Sequence, residues 1–394
     1  MVRPFFGGCM RDVAITGYAE TKIDVRSGRL SYELAGDVLD ELLRRFNVDK
    51  SEIDGLSVSE TMSESANPFW AQYMADVLGI TPSWLELMGL GGVSSIGGVA
   101  RAALAIRAGM CSIAVVLASD AQSSGLTPEQ GAQRHEFQYP TGLRGPVGAF
   151  GMIMRRYDHL YGLNPRALAR LAVTQRGHAL LNDNACPRLR KPISEEDYLS
   201  SKLVSDPLRV LDSVMVCDGA NAVLMMSAKQ AAKRGLKAIY PTAYAELSHY
   251  KLTEPMTEIT ESGFKVVGPK ALRQAGLSVS DIQSFHPYDD FLIAIMLQLE
   301  HIGFCEQGKG ADFVLDTDMT FKGRLPLNTG GGQISAGQPG LAGGGLNLIE
   351  AVRQMFGEGG PRQIQNIRNS MVTGIGGIPY ARNWGTSAVM ILEQ

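Results

Sequence analysis

The chain is 394 residues long, 45% hydrophobic and 20% charged, with a formal net charge of −3 at pH 7. That length excludes a small disulfide-stapled module, and the charge leaves no global positive field to hold nucleic acid or an anionic membrane. The 45 glycines exceed average usage and imply many tight turns or close backbone approaches.

In chain order, Val13 to Thr16 reads as a strand, Tyr32 to Phe46 as a helix with Leu39, Leu42 and Leu43 at helical spacing, and Ile53 to Ser59 as a second strand. A glycine-rich turn at Gly89 to Gly92 leads into an Ala-rich helix, Ile96 to Ala108, and a buried strand, Ser112 to Ala118. This β-α-β-α-β order predicts a largely parallel sheet with helices on both faces. From Ala121 to Asp206 the apolar periodicity weakens, and aromatic, Arg and Pro residues accumulate (Tyr139, Arg155, Arg156, Tyr157, Tyr161), as in an insertion covering one face. Asn221 to Met226 returns as a strand. The opening order then recurs: a helix at Pro269 to Ala275, a strand at Ile282 to His286, a helix at Phe291 to Ile302, the turn Gly330 to Gly332, a helix at Gly345 to Met355, and strands near Ser370 to Thr373 and Ala388 to Leu392. Asn47 to Val58 parallels Gly276 to Pro287, with Ile53 matching Ile282, so two similar halves are expected. The expected units are 1–120 with 207–250 as the first half, 121–206 as the insertion and 251–394 as the second half.

Cys9, Cys111, Cys186, Cys217 and Cys305 form no CxxC pair and show no metal-ligand spacing, which predicts free thiols in a reducing compartment and no metal site. The N-terminal apolar run is too short for a secretory leader, and no uninterrupted apolar stretch approaches the ~18 residues of a membrane span. A cytoplasmic protein is expected.

Four segments carry a family resemblance: A-I-R-A-G at Ala105 to Gly109, C-D-G-A-N-A-V-L from Cys217, L-E-H-I-G-F-C from Leu299 and L-P-L-N-T-G-G-G from Leu325. In this order and spacing they resemble the thiolase superfamily over essentially the whole chain. Tyr139 to Leu143 and Met152 to Gly162 are similar to the loop domain of its lipid-transfer-protein branch, which includes sterol carrier protein x-like thiolases and steroid side-chain retro-aldolases. The resemblance implies an α/β thiolase fold, two βαβαβαββ halves stacked as a five-layered αβαβα core with an inserted loop domain. It also implies a homodimer, a coenzyme A thioester as substrate with no bound cofactor, and a small OB-fold, zinc-ribbon protein as a candidate partner.

The same resemblance places the family's reactive positions. Its nucleophilic cysteine falls on Gly92, its activating histidine on Gln338 in Gly337-Gln338-Pro339-Gly340, and its C-terminal cysteine on Gly374 in Gly374-Ile375-Gly376-Gly377. The second-half histidine falls on Tyr288 in Tyr288-Asp289-Asp290-Phe291, where similar retro-aldolases also use a tyrosine; these relatives have a further tyrosine in the turn that here reads Ala336-Gly337-Gln338. Tyr288, Asp289 and His286 are therefore the candidate catalytic residues. Backbone N–H groups at Gly92 and Gly376 are candidate oxyanion donors, and Gln338 can bond a thioester oxygen without exchanging a proton. Ser94 and Ser95 read as helix-capping serines, Cys111 and Cys217 as packing residues, and Arg155, Arg156 and Arg170 as contacts for CoA phosphates or a solvated face.

With no thiol at either family position, retro-aldol cleavage of a β-hydroxyacyl-CoA is the expected reaction, since it needs no acyl-enzyme. An acetyl-CoA acetyltransferase-like activity with an atypical site and a non-catalytic acyl-CoA carrier or scaffold are the alternatives.

Overall fold

A computed structural model describes residues 10–65, 67–125, 140, 142, 143, 145–251, 253, 254, 258–377 and 384–394. Cys9, Tyr139 and Thr141 lie outside the described residues. The first half runs β1 (Val13–Glu20), α1 (Ser31–Phe46), β2 (Gly55–Ser59), α2 (Trp70–Leu78), β3 (Trp84–Met88), α3 (Ser94–Arg107) and β4 (Ile113–Asp120). The inserted segment contributes α4 (Gly145–Tyr161), α5 (Pro165–Leu180), α6 (Glu195–Leu199) and a small ribbon of β5 (Leu203–Ser205) and β6 (Leu208–Arg209). After β7 (Gly219–Ser227) and α7 (Ala228–Lys233) come β8 (Tyr240–Ser248), α8 (Phe264–Ala275), β9 (Phe285–His286), α9 (Leu292–Ile302), α10 (Gly310–Asp316), α11 (Gly332–Ala336), α12 (Gly343–Phe356), β10 (Asn369–Ile375) and β11 (Thr386–Glu393).

The two main sheets have matching strand orders, β1-β7-β4-β2-β3 and β8-β11-β10-β9. The duplication is visible down to single turns. Asp49 with Glu52, and Ser278 with Asp281, each close a one-turn 3₁₀ helix as reciprocal caps, and Ile53 and Ile282 end those turns. Both sheets are mixed rather than largely parallel: β2 runs parallel to β3 and β4, and β9 to β10, but β7 and β11 are antiparallel to both neighbours. The β-α-β pattern says nothing about the strand that returns after it, and β11 reverses beside β10 with no helical crossover.

Side-chain alternation divides the layers. Along β4, Ile113, Val115 and Leu117 pack with α1 and α2, while Ala114 and Val116 pack with α3. Along β11, Val389 and Ile391 join the core under α8 and α9, while Ala388, Met390 and Leu392 face the helices between the sheets. Those central helices are α3 and α12, and every residue of α12 from Gly343 to Met355 is buried. The result is the expected five-layered αβαβα stack.

Three elements have weak sequence signals: α2, the half-buried edge strand β3, and β8, which contains Pro241 next to a register shift. β8 lies within 207–250, yet it hydrogen-bonds to β11, so that stretch contributes to both sheets. The strand expected from Ile282 shortens to Phe285–His286, because Val279–Asp281 is helical. The inserted helices sit on the second half: Phe150 stacks on Phe291 with ring centroids 4.1 Å apart, and Tyr157 donates to Glu300 at 2.6 Å.

Candidate active site

The ends of β9, β10, α3 and α12 converge where the glycine turns approach one another. Tyr288 follows β9 and is held at its main chain: its N–H donates to Thr373 Oγ1 at 2.9 Å, and its carbonyl accepts from Gln298 Nε2 at 2.8 Å. The ring lies over Gly92. A Cβ at position 92 would overlap Tyr288 Cε2 and Cζ and stand 2.7 Å from Cδ2, so a side chain at the family's nucleophile position and this tyrosine exclude each other. The Tyr288 hydroxyl faces Gln338, whose Nε2 is 3.5 Å away.

Asp289 turns the other way and is wholly buried. It accepts from Gln175 Nε2 at 2.9 Å, Gln333 N at 3.0 Å, Ile334 N at 3.3 Å and Asn347 Nδ2 at 3.2 Å. The two main-chain donors are the unpaired N–H groups at the start of α11, so the carboxylate caps that helix. Asn328 and Asn347 clamp the carbonyl of Pro287 at 3.0 and 2.6 Å, and Asn328 also donates to Gln175. Sequence alone does not single out Gln175, Asn328, Gln333 or Asn347, because they come from the insertion, the second glycine turn, α11 and α12. The available signal was an unusual set of amides beside glycine runs.

Burial drives the ionisation of this cluster. It pushes Tyr288 well above the usual phenol range, and Asp290 and then Asp289 add to that rise. Asp289 is pushed up to about 7 by burial against its four donors, and Asp290 to about 8 by burial and then by Asp289. Asp290 Oδ1 is buried without a partner. His286, on β9, is fully buried with both ring nitrogens unpartnered, and burial pushes it down to about 4, so it is neutral at pH 7. Its titratable neighbours are Glu350 and His178.

The Asp290 shift makes a signed prediction. Its folded pKa lies above that of an unfolded aspartate, near 3.9, so the native state binds more protons through this window and Asp290 costs stability progressively as pH rises toward 8. Asp290→Asn is expected to raise the melting temperature more at pH 8 than at pH 5; an equal gain at both would contradict the shift.

The remaining sequence candidates fall as follows. Gly374 pairs with Ala388 in the sheet, and a Cβ there would lie 2.7 Å from the Gly92 carbonyl oxygen. Gly376 is not a free oxyanion donor: its N–H bonds the Thr386 carbonyl at 2.8 Å, because the β10–β11 ladder extends one residue past β10. Neither serine caps α3. Ser94 Oγ accepts from Leu90 N at 3.1 Å and donates to the Met88 carbonyl at 3.2 Å, closing the preceding turn, and Ser95 Oγ is buried without a partner. Arg155 pairs with Asp158 and Asp206, Arg156 with Glu258, and Arg170 with Glu195, so each already has a carboxylate. Burial pushes the Cys111 thiol up to about 11. The Cys217 thiol donates to the Met215 carbonyl at 3.3 Å beside the free Cys186 thiol, and the main-chain N–H groups of Cys217 and Cys186 hold the carbonyls of Gln338 and Ala336, both at 2.8 Å, on either side of Gly337.

Residues 245–394 match a family model described as thiolase C-terminal domain-like. The chain is 31% identical over 389 residues to a 17-hydroxy-3-oxo-4-pregnene-20-carboxyl-CoA lyase from Mycobacterium tuberculosis, covering 93% of this chain and 97% of that one. It is likewise 31% identical to a steroid side-chain-cleaving aldolase from Thermomonospora curvata, covering 93% and 95%. Among solved structures it is similar to an Ltp2-ChsH2(DUF35) aldolase, with a TM-score of 0.85, 30% identity and 97% of each chain covered. The shared fold, the family match over the C-terminal part and identity along nearly the full length agree: the chain belongs to the thiolase superfamily, in the branch that holds the steroid side-chain-cleaving aldolases.

Proposed function

We propose that this protein is a carbon–carbon lyase that cleaves a β-hydroxyacyl-CoA by a retro-aldol reaction, without a covalent acyl-enzyme. The observation that carries the reading is the Tyr288 ring occupying the space a side chain at Gly92 would need, with its hydroxyl beside Gln338. The names of the lyase and aldolase relatives support the same chemistry. A base takes the β-hydroxyl proton, the Cα–Cβ pair passes to the thioester as an enolate, and Cα is protonated, giving a shortened acyl-CoA and a ketone or aldehyde.

Tyr288, held protonated at neutral pH, suits proton donation to the enolate better than proton removal. Asp290, with an unpartnered oxygen and a pKa near 8, suits the base. Asp289, occupied by four donors, fixes the turn that presents Tyr288. His286 is fully buried with neither ring nitrogen partnered, and we place it behind the reacting groups as a packing residue of β9. Gln338 supplies a donor for the thioester oxygen.

Two assembly features belong to the proposal. The Ltp2-ChsH2(DUF35) aldolase supports a second, DUF35-type subunit, and the family resemblance would make it a small OB-fold, zinc-ribbon protein. A homodimer is supported by β3, the unpaired edge of its sheet, with Leu87 exposed and Phe69, Tyr73 and Val77 exposed along α2 beside it. Leu87→Lys is expected to halve the mass measured by light scattering, and an unchanged mass would remove β3 from the interface. Among the described residues no helix is long and apolar enough to cross a membrane, and the described cysteines are free, which supports a cytoplasmic setting.

The deciding experiment incubates the chain, alone and with a candidate DUF35-type partner, with a panel of β-hydroxyacyl-CoAs and follows products by mass spectrometry. A shortened acyl-CoA with an equimolar ketone or aldehyde supports the lyase. Tight binding without cleavage under every pairing would make the protein a carrier.

A further inference from the structure

Gln333 belongs to no motif of the sequence, yet it sits at the centre of the amide cluster. It is unexposed on α11, and its main-chain N–H bonds Asp289. Its Oε1 accepts from Gln338 Nε2 at 3.2 Å, and the same nitrogen faces the Tyr288 hydroxyl. The room for this carboxamide exists because position 343 is glycine: a Cβ there would overlap Gln333 Oε1 and stand 2.9 Å from Gln338 Cγ. Gln333 Nε2 is buried and without a hydrogen-bond partner.

We infer that Gln333 is a positioning residue that fixes the orientation of the Gln338 amide and, through it, the direction in which the Tyr288 hydroxyl donates. With Gln333 Oε1 turned toward Gln338, as the structure places it, the polarity follows from the chemistry of a primary amide. Its nitrogen carries two N–H groups and accepts nothing, while its oxygen only accepts. With Gln333 Oε1 taking one N–H of Gln338, the other is directed at Tyr288, whose oxygen must then accept. A flipped Gln338 would set its oxygen against Gln333 Oε1, two acceptors with no proton between them. Held as an acceptor from Gln338, the phenol keeps its own proton free for the substrate. The second amide hydrogen-bond donor, Gln333 Nε2, is satisfied by a carbonyl oxygen such as that of a thioester.

This assignment rests on the lyase reading for its kinetic consequence but not for its structural one, and the test separates the two. The full chain is labelled with tyrosine enriched in ¹³C at Cζ, and the Tyr288 resonance is assigned by its loss in Tyr288→Phe. Gln333→Met, similar in length but without donor or acceptor, is expected to shift that resonance in the substrate-free protein. Gln333→Glu retains an acceptor for Gln338 and is expected to leave the resonance near its wild-type position. Kinetically, Gln333→Met is expected to lower kcat by roughly 100-fold, the size associated with a misplaced catalytic group, with a much smaller change in KM. Gln333→Glu is expected to recover part of that loss. An unmoved Tyr288 resonance in Gln333→Met would overturn the assignment, whatever the rate does, because a general packing defect lowers kcat without passing through Tyr288. If the wild type cleaves no hydroxyacyl-CoA, the lyase reading falls and the resonance alone still decides the role of Gln333.

Discussion

Replacing Tyr288 by phenylalanine is expected to slow carbon–carbon cleavage by about 10²–10⁴-fold, the usual contribution of a positioned acid or base. The fold should barely notice. The ring still fills the space over Gly92, and the lost hydroxyl has only weak partners, Gln338 at 3.5 Å and the nearby Gln333 amide, so the melting temperature should stay close to wild type. KM should change little, since the ring and its packing survive. The wild-type rate should rise with pH as Asp290 loses its proton near 8, while Tyr288 remains protonated throughout. A phenylalanine variant that cleaves at the wild-type rate would remove Tyr288 from the chemistry.

Gly92→Ala should be damaging both to stability and to rate. The added methyl meets the Tyr288 ring, and the Gly92 carbonyl is already packed so closely on Gly344 and Gly374 that a side chain at either would overlap it, which leaves the turn little room to shift. Overpacking of this kind costs about 1–3 kcal/mol, measurable as a lower denaturation midpoint. Cleavage should fall with it as Tyr288 is pushed off its position. The control is Gly92→Ala in a Tyr288→Ala background: truncating the buried ring is itself costly, but there the added methyl should cost little further stability, a coupling that a double-mutant cycle reads directly. Independent, additive effects would show that the two residues do not meet.

Much of the fold was legible because its signals are local. Leu39, Leu42 and Leu43 mark the buried face of α1, and the parallel between Asn47–Val58 and Gly276–Pro287 identified the repeat, which the structure realises as two capped 3₁₀ turns entering equivalent strands. The β3 strand escaped because its residues are only half-buried, and β8 because Pro241 lies within it. At the site, Tyr288, Gln338 and Gly92 could be placed by family position, but their mutual packing could not. Asp289 and Gln333 are 44 residues apart, and Gln175 is 114 residues from Asp289; only the closed fold brings them together. The Gly376 donor was misjudged because a glycine turn reveals an available N–H but not the strand carbonyl that takes it.

The overlap at position 92 also bears on how such a chain can change through descent. A path back to a thiol nucleophile would need a cysteine at 92 and a smaller residue at 288, besides a histidine at 338. The first step taken alone sets a side chain against the Tyr288 ring, and the second alone leaves the space over Gly92 unfilled. The intermediate is disfavoured by sterics before selection on a new substrate can act. The overlap therefore behaves as a ratchet: residues around Tyr288 can change one at a time, whereas a side chain at 92 cannot be added while the ring is there.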